Sequence, residues 1–237
     1  MLADAHIHLH NLLSRDPLFP ERLAGQAWTG CAASHDEAEY LETEALRGPS
    51  GSGGLVFVTS FGIHPQWLVW KNADFLARLA REGRIAAIGE AGFDFFGDRP
   101  ERVRNPENEA AQRAVFEYQL GLAEAHGLPM ILHLRKAMDL AFEYGPRLRR
   151  LRGAVFHSYS GTDRDAASLI ARGIGAWFSF GAPILNGNKR SRAACAAVPL
   201  DRILAETDAP WQPPSGSDFC RPEHLKDVIK GMAAIRG

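Results

Sequence analysis

The 237 residues are 46% hydrophobic and 23% charged, ordinary for a globular chain, and a net charge of −1 excludes any global attraction to nucleic acid or an acidic membrane. No apolar run approaches the roughly 20 residues of a membrane span. The three scattered cysteines Cys31, Cys195 and Cys220 exclude a disulfide framework and a paired-cysteine zinc ribbon, and with no secretory signal pattern the cytoplasm is the expected compartment.

Strand-like apolar runs recur along the chain with amphipathic segments between them. The first, "LADAHIHL" at 2–9, alternates strictly, with Asp4, His6 and His8 on one side and Ala5, Ile7 and Leu9 on the other. Such alternation fits either a half-exposed strand or a buried strand whose imidazoles converge on something. The gap at 10–25 is irregular. Further strand candidates lie at 27–33, 54–63, 84–93, 129–134, 153–159, 176–182 and 202–209. Helical patterns lie at 35–47, 72–83, 107–127, 136–151, 163–173, 189–198 and 222–235. The third of these ends clearly, with His126 in its last turn, Gly127 just past it and Pro129 two beyond. The glycine-rich patch at 48–54 reads as a flexible loop before the third strand.

Strands alternating with helices indicate parallel βαβ units. Eight of them predict a (β/α)8 TIM barrel forming a single domain over 1–237. An open doubly wound sheet would carry a glycine-rich fingerprint after its first strand, and none is present. Both faces of a barrel strand are covered, so His6 and His8 cannot meet bulk solvent and need partners. Other ligand-type residues stand at the carboxyl ends of other strands, the active face of such barrels: Glu90, His133, His157 and Asp208. Six nitrogen and carboxylate ligands are too many for one tetrahedral zinc with an open position. They suit two divalent ions sharing a carboxylate about 3.5–4 Å apart, with zinc, manganese or magnesium as candidates.

These residues resemble the TatD-type metal-dependent deoxyribonucleases of the amidohydrolase superfamily. "DAHIH" is similar to that family's D-x-H-x-H opening, "GIHP" to G-[IV]-H-P and "GEAGFD" to G-E-x-G-L-D. "HSYSG" is similar to H-C-F-[ST]-G and "ETDAPW" to E-T-D-[SA]-P-[YW], and the run from Gln112 to Ala137 follows the family closely. The resemblance spans 4–212 and implies a hydrolase of phosphodiesters with DNA as its partner. It implies that His6, His8 and Asp208 hold one ion, that Glu90 bridges, and that His133 and His157 hold the other. Asp208 would also take the proton of the attacking water, and Asp4 would support the ligating imidazoles from behind.

By the same analogy His64 contacts a phosphate or helps the leaving group, unless it merely leads into the next helix. Arg135 is placed to reach a phosphate, or to pair on the surface. Lys189 and Arg190 in "NGNKRSR" sit where barrels often bind phosphate, although a solvated basic surface reads equally well. Arg99, Arg102 and Arg104 are a weaker case of the same kind. Trp67 and Trp70 could stack bases or simply pack their loop. His10, His35, His126 and His224 read as structural or surface histidines. After "ETDAPW" the family's basic loop survives only as Arg221-Pro222, and the family's closing helix has no counterpart. This departure leaves open an enzyme for a small amide, lactone or ester, and behind it a non-catalytic metal-binding protein. No obligate protein partner and no membrane are expected.

Overall fold

Eight parallel strands lie side by side in chain order in one sheet. They are β1 (Leu2–Ile7), β2 (Trp28–Ser34), β3 (Phe57–Phe61), β4 (Ala87–Asp94), β5 (Met130–Arg135), β6 (Ala154–Phe156), β7 (Ala176–Phe180) and β8 (Ile203–Ala205). This computed structural model describes residues 1–47 and 54–237, so the loop expected at 48–54 lies, but for its last residue, outside the described residues. Just past β8 the sheet returns to its start. The Asp208 N–H donates to the His6 carbonyl at 3.0 Å and the His8 N–H to the Ala209 carbonyl at 2.8 Å. Those two bonds join the ends of the sheet into the barrel that the strand–helix alternation predicts.

Around it run α1 (Leu9–Arg15), α2 (Phe19–Leu23), α3 (Glu37–Ala45), α4 (Ala73–Arg81), α5 (Pro106–His126), α6 (Met138–Glu143), α7 (Gly145–Leu148), α8 (Asp163–Ala171), α9 (Lys189–Ala197) and α10 (Leu225–Arg236). Their starts are written in the sequence. Asp36, Asn105, Thr162 and Asn188 each accept a backbone N–H from the first turn they cap. Pro106 adds a preset φ to the start of α5, and Gly127, at φ 63°, ends that helix in the left-handed conformation.

Two expectations are corrected. The gap at 10–25 holds α1 and α2 rather than irregular chain, because Leu9, Leu12, Phe19 and Leu23 bury against Trp28 and Phe57. These helices are too short for periodicity to reveal. The single helix expected over 136–151 is two, α6 and α7, because Pro146 lacks an N–H to continue the ladder and suits a first turn instead.

Two register irregularities aim the interior side chains. Along β1 three steps from Asp4 to Ile7 face two along β2, and along β4 three steps from Ile88 to Ala91 face two along β5. Bulges of this kind re-aim side chains near functional sites, and here they flank His6 and Glu90. Gly92, at φ 146°, lets β4 lie close to β5, since a Cβ there would collide with the His133 carbonyl oxygen.

Candidate metal centre

All six predicted ligands are buried and meet at the mouth of the barrel. Glu90, from β4, is the hub. Its Oε2 lies 3.3 Å from His6 Nε2 and 3.3 Å from His8 Nε2. Its Oε1 lies 2.9 Å from His157 Nε2 and 3.2 Å from His133 Nδ1. Asp208 joins the first group, with Oδ1 3.3 Å from His8 Nε2 and 3.7 Å from His6 Nε2. The two Nε2 atoms of His6 and His8 are themselves 3.1 Å apart. Nitrogens and carboxylate oxygens so spaced are what ligands at about 2.0–2.2 Å from a shared cation look like, so these residues fit divalent metal. Three overlapping triads bring their ligand atoms within 4.8 Å of one another: His6–His8–Glu90, His6–His157–Asp208 and His64–Glu90–His133.

Charges here depend on neighbours. Burial pushes the Glu90 carboxyl up, but His6, His157 and His64 outweigh it and hold Glu90 well below the usual carboxylate range. Burial acts likewise on Asp208, yet His8 and His157 bring it down to about 2. Burial lowers His157, and the carboxylates Glu90 and Glu206 reverse that, so it is held well above an ordinary histidine. His64 is lowered to about 3, chiefly by burial.

Behind the ligands stands a supporting layer. Asp94, also from β4, accepts from His133 Nε2 at 3.0 Å, fixing that ring with its Nδ1 toward Glu90. Asp94 is in turn held by the Phe96 N–H at 3.0 Å and by the Gln66 amide. Glu206 lies 3.6 Å from His157 Nδ1 and accepts from the Ser158 N–H and the Ser179 hydroxyl. Sequence reasoning missed both carboxylates, although both stand inside quoted motifs, "GEAGFD" and "ETDAPW".

Asp4 needs a correction. Its carboxylate accepts from the Thr207 N–H at 2.9 Å and the Thr207 hydroxyl at 2.6 Å, while Nδ1 of His6 and of His8 are buried without a hydrogen-bond partner. Asp4 therefore fixes the residue beside Asp208, not the imidazoles.

A cavity of about 710 Å³ opens over the cluster, lined among others by His64, Trp67, Arg99, Arg135 and Trp211. A second, of about 390 Å³, adjoins it through Arg135, Ser158 and Gln212 and reaches Arg190. Four non-glycine residues have left-handed φ among the described residues: Asp208, Ser158 and Gln212 line the first cavity and Lys136 the second. Backbone strain gathered in this way marks a functional site. Lys189 is exposed in the first turn of α9 and lines neither cavity. Arg104 is taken up by Glu109 and Asp139, at 2.7 and 2.6 Å. Trp70 packs on Tyr118 with ring centroids 5.6 Å apart. His35, expected to be structural or at the surface, instead lines the first cavity with its Nε2 3.1 Å from Glu90 Oε2.

Residues 3–237 match the model of the TatD related DNase family. The chain belongs to that family. The 3'-5' ssDNA/RNA exonuclease TatD of Erwinia tasmaniensis is 32% identical over 189 residues, covering 74% of this chain and 69% of the relative. The Cronobacter sakazakii protein of the same description is 34% identical over 186 residues, covering 74% and 68%. Among solved structures, YJJV, a TatD homologue from Escherichia coli K12, superposes with a TM-score of 0.82 at 25% identity, covering 99% of this chain and 90% of its own. The chain is thus a TatD-family hydrolase with the family's barrel, and its buried histidines and carboxylates form candidate metal-binding groups. Among the described residues no helix is long and apolar enough to cross a membrane.

Proposed function

We propose that this protein is a metal-dependent nuclease that trims single-stranded nucleic acid ends, and that His6, His8, Glu90, His133, His157 and Asp208 would hold two divalent cations with Glu90 shared between them. The observation that carries the reading is how Glu90 is shared: His6 and His8 meet Oε2 and have Asp208 beside their Nε2 atoms, while His133 and His157 face Oε1. Zinc or manganese suits the nitrogen-rich positions, and magnesium is the alternative where oxygen predominates. Bound there, divalent ions make a water acidic enough to attack at neutral pH and offset charge building on the phosphoryl oxygens.

The chain's own residues supply the remainder. Asp208, ionised and oriented by the Gln212 amide on Oδ2, takes the proton of the attacking water on its carboxylate. His64 accepts the Gln66 N–H on Nδ1 at 3.1 Å, so its proton sits on Nε2, placed to donate to a phosphate or leaving oxygen. Arg99, Arg135 and Lys71 line the cavity outside every ion pair among the described residues, free to meet phosphates. Arg190 extends that path through the second cavity, and exposed Lys189 adds charge to the same rim. Trp67 and Trp211, 56% and 43% exposed, offer faces on which bases stack. Named relatives that act on single-stranded DNA and RNA support this substrate over a small amide or lactone. Three free cysteines support a cytoplasmic setting.

The test is to incubate manganese- or zinc-loaded protein with end-labelled single-stranded DNA and RNA, beside a lactone and ester panel. Stepwise shortening of the strand that stops on adding chelator is expected. Undiminished cleavage in chelator, or turnover of the panel alone, would overturn the proposal.

A further inference from the structure

Two imidazoles beyond the six expected ligands touch Glu90, and their protons sit on opposite nitrogens. His64 carries its proton on Nε2, 3.6 Å from Glu90 Oε1, and is a donor. His35 is arranged the other way round. Its Nδ1 lies 3.2 Å from the carbonyl oxygen of Gly62, a group that only accepts, so Nδ1 holds the proton. Nε2 is the nitrogen turned toward the cluster, 3.1 Å from Glu90 Oε2. His133 shows the same pattern with its nitrogens exchanged: Nε2 engages Asp94 at 3.0 Å and Nδ1 faces Glu90 Oε1 at 3.2 Å. A far nitrogen donating to a carbonyl or carboxylate is the usual state of a metal-bound histidine.

The position of His35 is held from several sides. Its N–H donates to Glu39 Oε2 at 2.7 Å, and the Asn72 amide donates to its carbonyl at 2.7 Å. The Gly62 N–H donates to the Ser34 carbonyl at 3.2 Å, which keeps the Gly62 oxygen beside the ring. The ring stands on the cavity wall between His8 and His64, with centroids 5.5 and 5.0 Å away.

We propose that His35 is a further ligand to the cation on the Oε2 side of Glu90, joining His6 and His8. The proposal rests on reading the cavity as a divalent-metal centre. A third imidazole makes that side richer in nitrogen and favours zinc over magnesium there.

The test uses the whole chain stripped by chelator and titrated with cobalt(II), followed by calorimetry and by visible absorption, which reports the ligand set. His35→Asn keeps an amide N–H for the Gly62 carbonyl and removes the Nε2 ligand. His35→Gln places an N–H where Nε2 was, enough to hold Glu90 by a hydrogen bond. Both variants are expected to bind one cobalt ion about 10–100-fold more weakly and to shift the visible bands, with the melting temperature of the cation-free protein unchanged. Wild-type affinity and spectrum in both variants would overturn the proposal. So would full rescue in His35→Gln, which would mark His35 as a doubly protonated support for Glu90. A wild-type chain that took up no cobalt would overturn the metal centre itself.

Discussion

On the outer surface Arg113 of α5 meets Glu109 at 2.8 Å and Glu143 at 2.5 Å, and Arg147 of α7 meets Glu124 at 2.6 Å. Each cation there has its carboxylate and water nearby. At the barrel mouth the arrangement is reversed: Glu90 and Asp208 are buried among imidazoles that repel one another as soon as more than one is protonated. The outer carboxylates are balanced by arginines, whereas the inner ones are balanced only by buried imidazoles that carry positive charge when protonated. Exposed pairs are therefore worth little singly, while the mouth is costly to alter.

Asp208→Asn presses hardest on this contrast. It is expected to lower strand cleavage about 10²–10⁴-fold, the range of a lost general base, measured as turnover of labelled DNA at saturating manganese. Near-normal turnover would remove Asp208 from the proton transfer. Asp94→Asn or Glu206→Gln, which leave every ligand in place, should weaken metal affinity or activity by about 10–100-fold. Calorimetric titration with zinc measures that effect.

The sign of the pH effect follows from His157. Burial pushes it down, but Glu90 and Glu206 hold it well above its ordinary value, so it is protonated at neutral pH when no cation is bound. A cation must displace that proton. Affinity should therefore fall as pH is lowered, by about tenfold per unit for each proton released, and titrations in buffers of different ionisation enthalpy count those protons. Arg135→Ala should raise KM for DNA about tenfold with kcat little changed, the loss of one charged contact worth about 1.5 kcal/mol. Arg113→Ala should cost about 1 kcal/mol or less in denaturant unfolding and leave cleavage untouched, as an exposed pair requires.

Of the six candidate ligands, Glu90, His133, His157 and Asp208 were legible because each follows an apolar run toward the carboxyl end of a strand, and His6 and His8 because they alternate with apolar residues in β1. His35 was not, because "SHDEAEY" reads first as a helix start, and Asp36 does cap α3. His35 stands just past the end of β2, where its Nδ1 meets the Gly62 carbonyl and its ring faces the cavity. The partner of Asp4 was hidden for another reason: alternation puts Asp4 on the same face as His6, but the bulge between them turns the carboxylate to Thr207, 203 positions away. No local pattern encodes that meeting. α1 and α2 escaped notice because seven and five residues hold too few turns to set a period. The Gly145–Pro146 pair that divides α6 from α7 was visible, and only its weight was misjudged.

The seam that closes the barrel also sets when the protein becomes competent. His6 and His8 leave the ribosome about two hundred residues before Asp208, and the backbone bonds between Asp208 and His6 and between His8 and Ala209 form only once the last strand docks on the first. An unfinished chain therefore lacks Asp208 beside the other five candidate ligands, so the full cluster assembles only with the final closure of the fold.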